Sequence, residues 1–197
     1  MKIKEALTNS ITLKKSILEN TALLEIAEKM GEEIIAVYKN KGKLLIAGNG
    51  GSAADAQHFA AEITCQYELK RNARPAIALA TDTSALTAWS NDFSYESVFA
   101  RLVEAYGEAV DALVVISTSG NSKNLFSAAE AAKKKGMKVF GILGRDGGKL
   151  LPHCDTAFVV PSQETPRIQE CHILLIHSLC SVLDEFFVTQ DTEQLVA

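Results

Sequence analysis

The chain has 197 residues, of which 47% are hydrophobic and 22% charged, and its formal net charge is −4. That length suits a single domain, the apolar share rules out wholesale disorder, and the acidic balance excludes broad electrostatic attraction to nucleic acid. Cys65, Cys154, Cys171 and Cys180 form no C-x-x-C pair, which points to a reducing cytoplasm rather than a disulfide framework; Cys65 and Cys171 are expected in the core.

Residues 3 to 38 read as two helices. Leu7, Ile11 and Leu18 keep a helical spacing, and Thr21 is a candidate cap for a second run through Val37. The charged text Met1–Glu5 is not expected to be a secretory signal. After Asn40-Lys41-Gly42 the pattern changes. Lys43–Ala47 is a short apolar strand, followed by Gly48-Asn49-Gly50-Gly51-Ser52 and an Ala-rich helix to about Gln66. Pro75–Ala80 reads as strand and the stretch after Thr83 as helix. Ala112–Ser117 is the clearest strand and feeds Thr118-Ser119-Gly120-Asn121-Ser122. A helix then runs through Lys135 and stops at Gly136. Val139–Leu143 and Thr156–Val160 are further strands, and a last helix spans about Pro166 to Phe187. The apolar segment Cys171 to Val188 contains His172, His177, Asp184 and Glu185, which predicts a buried helix rather than a membrane span.

Short apolar strands alternating with helices predict an α/β fold with a parallel sheet covered on both faces. Ligands in such sheets bind at the carboxyl ends of the strands, near a switch in strand order. The expected organisation is one domain over residues 1–197. In it, residues 1–40 are helices for sheet cover and oligomerisation, and residues 41–197 are the α/β core.

Both polar loops fall at strand ends. Gly48–Ser52 lets a ligand approach the backbone closely, and the helix start near Ser52 offers N–H groups to it. Ser117–Ser122 carries four hydroxyls and a glycine turn ahead of a helix. Such a pair suits an anion, although each loop alone is equally a tight turn with a helix cap. Neither is a dinucleotide or Walker motif, because Ala53 stands where the third Gly belongs and no G-K-[ST] ending follows. A sugar phosphate fits better than a nucleotide.

His58 and Glu62 are four apart on the first loop's helix, so they share a face about 6 Å apart along the axis. They could share a metal or a proton, or be an ordinary surface pair. Gln169 and His177 are eight apart on the last helix, about 12 Å along the axis and about 80° around it. By spacing alone His172, three residues from Gln169, is the easier partner.

Taken together, Gly48-Asn49-Gly50-Gly51-Ser52-Ala53-Ala54-Asp55-Ala56-Gln57-His58-Phe59, Asn91-Asp92, Ser117–Ser122, and Arg167-Ile168-Gln169-Glu170 with His172 and His177 resemble the phosphoheptose isomerases. These are a branch of the sugar isomerase (SIS) superfamily, and the likeness covers nearly the whole chain. The resemblance implies a flavodoxin-like sandwich with a five-stranded parallel sheet, and a homotetramer with sites at subunit interfaces. It implies conversion of sedoheptulose 7-phosphate to D-glycero-D-manno-heptose 7-phosphate, feeding heptose nucleotides for lipopolysaccharide core or capsule. It further implies one zinc ion per site, held by His58, Glu62, Gln169 and His177. Glu62 is the implied base and His177 the implied acid. The implied substrate contacts are Asn49, Gly50, Gly51, Ser52, Glu62, Asn91, Asp92, Ser117, Thr118, Ser119, Ser122 and Gln169. No nucleic acid or membrane partner is expected.

The chain departs from the family in two places. Pro166 stands where some members have an aspartate, and Ala53-Ala54 replaces a His-Cys pair. The string around Ser52–Ala61 also resembles a non-catalytic relative, the DnaA initiator-associating protein, in which the positions of Glu62 and His177 are not Glu and His. A regulatory sugar-phosphate sensor is a third reading, weakened by the lack of room for a second domain.

Overall fold

The computed structural model describes residues 1–196, with side chains through Glu193. Residue 197, the last of the expected domain, lies outside the described residues. Two helices open the chain, α1 (Lys2–Leu18) and α2 (Thr21–Lys39). The cap of α2 is Asn20, whose side chain accepts from Leu23 N, and not Thr21, which is the first helical residue. An Asn at this position relieves one of the unpaired N–H groups of a helix start, leaving Thr21 free to enter the first turn.

The α/β portion follows as β1 (Leu44–Gly48), α3 (Gly51–Thr64), β2 (Ala76–Ala78), α4 (Thr83–Asp92), α5 (Val98–Tyr106), β3 (Ala112–Ser117), α6 (Lys123–Lys134), β4 (Lys138–Gly144), β5 (Thr156–Val160) and α7 (Thr165–Val196). The expected strand Pro75–Ala80 shrinks to three residues. The last helix runs past Phe187 to Val196, because Arg74 pairs with Asp191 at 2.5 Å and holds that added length against the chain after α3.

All strand pairs are parallel, in the order β2-β1-β3-β4-β5. This is the flavodoxin-like order, and the reversal falls between β1 and β3. Strand side chains alternate between two cores. Leu44, Ile46, Val114 and Ile116 pack with α2, α3 and α7, while Leu45, Ala47, Leu113 and Val115 pack with α5 and α6. Both faces are buried, as a parallel sheet requires.

α7 is long and apolar enough to cross a bilayer, but half of its most apolar window is buried within the fold. Its Ile168, Ile176, Leu183 and Phe187 belong to the first core, so it is a core helix. Apolar side chains remain on the outside: Ile3, Leu7, Ile11 and Leu18 of α1, and Leu174 and Val182 of α7.

Candidate active site

The two polar loops stand side by side at the carboxyl ends of β1 and β3, as the strand order demands. In the first, Ser52 N and Ala53 N donate back to the carbonyls of Asn49 and Gly50, both at 3.0 Å. Fewer free donors face outward than the helix start suggested. A Cβ on Gly51 would overlap the amide of Gln169, which would then have to turn aside. The last helix therefore packs directly on this loop.

In the second loop, Ser117 is buried and its hydroxyl oxygen accepts from Gly120 N at 3.0 Å. Ser119 Oγ accepts from Asn121 N at 3.2 Å. Ser122 precedes α6 but makes no cap bond of its own, so its hydroxyl is uncommitted. Gly120 has φ +64, and a Cβ on it would collide with the Gly147 carbonyl of the segment after β4. That segment braces the loop: Leu150 N donates to Gly120 O and Lys149 N to Asn121 Oδ1.

A feature the sequence did not advertise joins the loops. Asn49 and Asn124 exchange amide hydrogen bonds, Asn49 Nδ2 to Asn124 Oδ1 and Asn124 Nδ2 to Asn49 Oδ1, each at 2.9 Å. Tyr95 OH donates to the same Asn49 Oδ1 at 2.7 Å. Asn124 is buried on α6 and belongs to no motif, so nothing in its spacing marks it.

His58, Glu62 and His177 gather further along α3. His58 Nε2 donates to Glu62 Oε1 at 2.9 Å and lies 3.4 Å from His177 Nε2. Tyr67 stacks on the His177 ring, with centroids 5.5 Å apart and planes within 16°. His58 and Glu62 are partly open, with side chains 43% and 24% exposed.

His177, which spacing ranked below His172, is thus the histidine at the cluster. His172 is wholly buried, and its Nε2 donates to Leu143 O at 2.9 Å. Burial pushes its pKa from 6.5 down to about 4, against the opposing pull of that bond. Asp55, one turn before His58, has an unpartnered buried oxygen, and burial raises its pKa while His58 pulls it down.

Gln169 does not join the three. Its amide sits at Gly51, seven residues before His58 on α3, or about 10 Å along the axis. Asn91 and Asp92 end α4, are exposed, and bond to each other at 2.9 Å. Pro166 occupies the first turn of α7, where its missing N–H costs nothing. Cys171 is in the core, but Cys65 is exposed at the end of α3, because the chain leaves the helix there for the surface.

The donor set of the cluster suits a metal. One Nε2 lies close to both a carboxylate oxygen and a second Nε2, and the single proton it carries satisfies only one of those contacts. The His–His distance matches the edge of a tetrahedral site with bonds of about 2.0–2.1 Å. Among the described residues, however, no three His, Cys, Asp or Glu side chains already stand in ligand geometry. The His58–Glu62 hydrogen bond must open to admit an ion.

Comparison with known proteins gives a consistent family. The SIS domain matches residues 8–144. A phosphoheptose isomerase of Helicobacter pylori (strain P12) is 54% identical over 184 residues, 93% of this chain and 94% of that protein. The phosphoheptose isomerase structure from Neisseria gonorrhoeae superposes with a TM-score of 0.87 at 44% identity, covering 93% of this chain and 97% of that one. That from Francisella tularensis gives 0.89 at 36% identity with the same coverage.

Proposed function

The chain belongs to the phosphoheptose isomerases of the SIS-domain family, and we propose that it converts sedoheptulose 7-phosphate to D-glycero-D-manno-heptose 7-phosphate. The observation that carries this reading is the meeting of Glu62, His58 and His177 from two separate helices in a fold whose polar loops suit a phosphate.

Moving a carbonyl from C2 to C1 transfers one hydrogen between neighbouring carbons through an enediol. The Glu62 carboxylate takes the proton from C1 as His177 gives one to the C2 oxygen. The C1–O–H then loses its proton to His177, and Glu62 returns its proton to C2. Each residue ends as it began. Ser117–Ser122, at the start of α6, holds the phosphate, and that remote binding orients the reacting carbons. Zinc, where bound by His58, Glu62 and His177, would stabilise charge on the oxygens. Gln169 would serve it only after its amide turned away from Gly51. Ligation competes with proton abstraction at Glu62 and with proton donation at His177, whose Nε2 cannot hold a metal and a proton at once.

Geometry supports a shared site. The first polar loop, which stands beside the phosphate-holding one at the ends of paired strands, includes Gly51, eleven residues and about 16 Å along α3 from Glu62, whereas a heptose 7-phosphate spans about 10 Å from C1 to phosphorus. The phosphate clamp of one copy and the acid–base cluster of another would serve one substrate, with exposed Ile3, Leu7, Ile11, Leu174 and Val182 in contacts between copies. A homotetramer in the cytoplasm, supplying heptose for lipopolysaccharide or capsule, fits this reading. No observation favours the initiator-binding alternative.

The test is product analysis after incubation with sedoheptulose 7-phosphate, using wild type and Glu62→Gln. Wild type yields the aldose; Glu62→Gln binds substrate without turnover. Near-normal turnover by Glu62→Gln would remove this residue from the chemistry. Mixing Glu62→Gln with Ser119→Glu chains should restore activity where sites are shared, and no recovery after subunit exchange argues for a site within one chain.

A further inference from the structure

The segment leaving α3 lies along α7 as a strap with three rungs. Tyr67 stacks on His177. Glu68 Oε2 accepts from Ser181 Oγ at 3.2 Å. Asp184 Oδ2 accepts from Glu68 N at 2.8 Å and Leu69 N at 2.9 Å. His177, Ser181 and Asp184 are spaced i, i+4, i+7, so they line one face of α7.

The strap is also tied to α3. Arg71 Nε donates to Asp184 Oδ1 at 2.6 Å, and its Nη2 and Nη1 donate to the carbonyls of Glu62 at 2.8 Å and Ile63 at 2.9 Å. The Arg71 and Asp184 side chains are each 1% exposed, and Phe187 stacks beneath the guanidinium at 5.0 Å. Burial alone would raise the Asp184 carboxyl, but the bonds from Leu69, Arg71 and Glu68 outweigh it and hold the group below its usual range. One buried pair therefore sets the relation of the helix bearing Glu62 to the helix bearing His177.

We propose that Tyr67 is a positioning residue for the isomerisation: its ring fixes the plane of the His177 imidazole, and the Arg71–Asp184 pair holds the strap that carries it. The His177 imidazole meets His58 edge to face, with centroids 5.1 Å apart and planes at 71°. A ring free to rotate about its χ2 would lose that approach and the aim of its nitrogen at the substrate oxygens, on which proton transfer depends. The Tyr67 hydroxyl lies near the Ser181 side chain on the same face of α7, but the flat apolar ring does the positioning. The kinetic part of the proposal rests on the isomerase reading, while the stacking stands by itself.

Tyr67→Phe keeps the ring and Tyr67→Leu removes it. Both avoid the buried ion pair, whose loss could unfold the protein. We expect Tyr67→Leu to lower kcat about tenfold with KM within about twofold, and Tyr67→Phe to retain wild-type kcat. Thermal melts of each variant fix the assay temperature within the native baseline. Independently, histidine labelled at Cε1 reports the Tyr67 ring current at His177, the signal being assigned by its loss in His177→Asn. The His177 signal should move downfield in Tyr67→Leu and stay in Tyr67→Phe. Wild-type kcat in Tyr67→Leu, an equal loss in Tyr67→Phe, or an unmoved His177 signal in Tyr67→Leu each overturns the proposal. Failure of the wild-type protein to turn over sedoheptulose 7-phosphate sinks the isomerase reading and the kinetic role with it, and the labelled-histidine spectrum then decides the stacking separately.

Discussion

The amide pair between Asn49 and Asn124 offers a measurable coupling between the two loops. Asn124→Ala removes both 2.9 Å bonds. It leaves Asn49 half-buried, within reach of water, and still bonded to Tyr95. Two neutral hydrogen bonds at about 1 kcal/mol each give a cost of about 2 kcal/mol. Asn49→Ala removes the same two bonds and the Tyr95 bond as well. It also strands the Asn124 amide, which is 4% exposed and has no such access to water. A buried unpaired amide raises the cost to about 3 kcal/mol. The double variant should cost less than the sum, with a coupling of about 1–2 kcal/mol. Urea unfolding at fixed protein concentration gives the four free energies, the concentration being held because association adds to stability. The single variants should melt about 4–12 °C below wild type. Additive single effects, or a larger cost for Asn124→Ala than for Asn49→Ala, would refute the argument that these loops are held together by this pair.

Three further outcomes are expected. Gly120→Ala places a Cβ at φ +64 against the Gly147 carbonyl; left-handed strain of about 1–2 kcal/mol adds to the overlap, so the loop must shift, and KM for sugar phosphate should rise far more than kcat falls. His172 is neutral in the fold, with its pKa depressed from 6.5 to about 4. The unfolded chain takes up a proton below about 6.5 that the fold refuses. Stability is therefore full above that pH and falls as pH drops towards 4, by about 3 kcal/mol in all. His172→Gln should flatten that part of the pH–stability curve, and an unchanged acid slope would count against the assignment. For the metal, elemental analysis of protein purified without added metal should find about one zinc per chain. His58→Ala should lower that content, and activity unchanged by complete metal removal would make the ion incidental.

Much of the architecture was legible from residue order alone. Ala112–Ser117 and Thr156–Val160 are strands to the residue, because β-branched apolar runs between turn signals have few other stable conformations. Both polar loops fall at strand ends, since Gly, Ser and Asn mark where a strand hands over to a helix. Pairing His58 with Glu62 needed only the helical repeat. What periodicity could not deliver was any relation between helices. His172 and His177 stand about 140° apart on a helical wheel, but the wheel does not say which neighbour each side meets; one became a core histidine bonded to Leu143 and the other met His58, because α7 packs against β4 on one side and α3 on the other. Asn124, Tyr67 and the Arg71–Asp184 pair carry no motif at all. Asn49, His177 and Asp184, the partners of Asn124, Tyr67 and Arg71, lie 75, 110 and 113 residues away, and sequence spacing encodes local geometry only. Which side chains meet across that distance is settled when the helices close on the sheet.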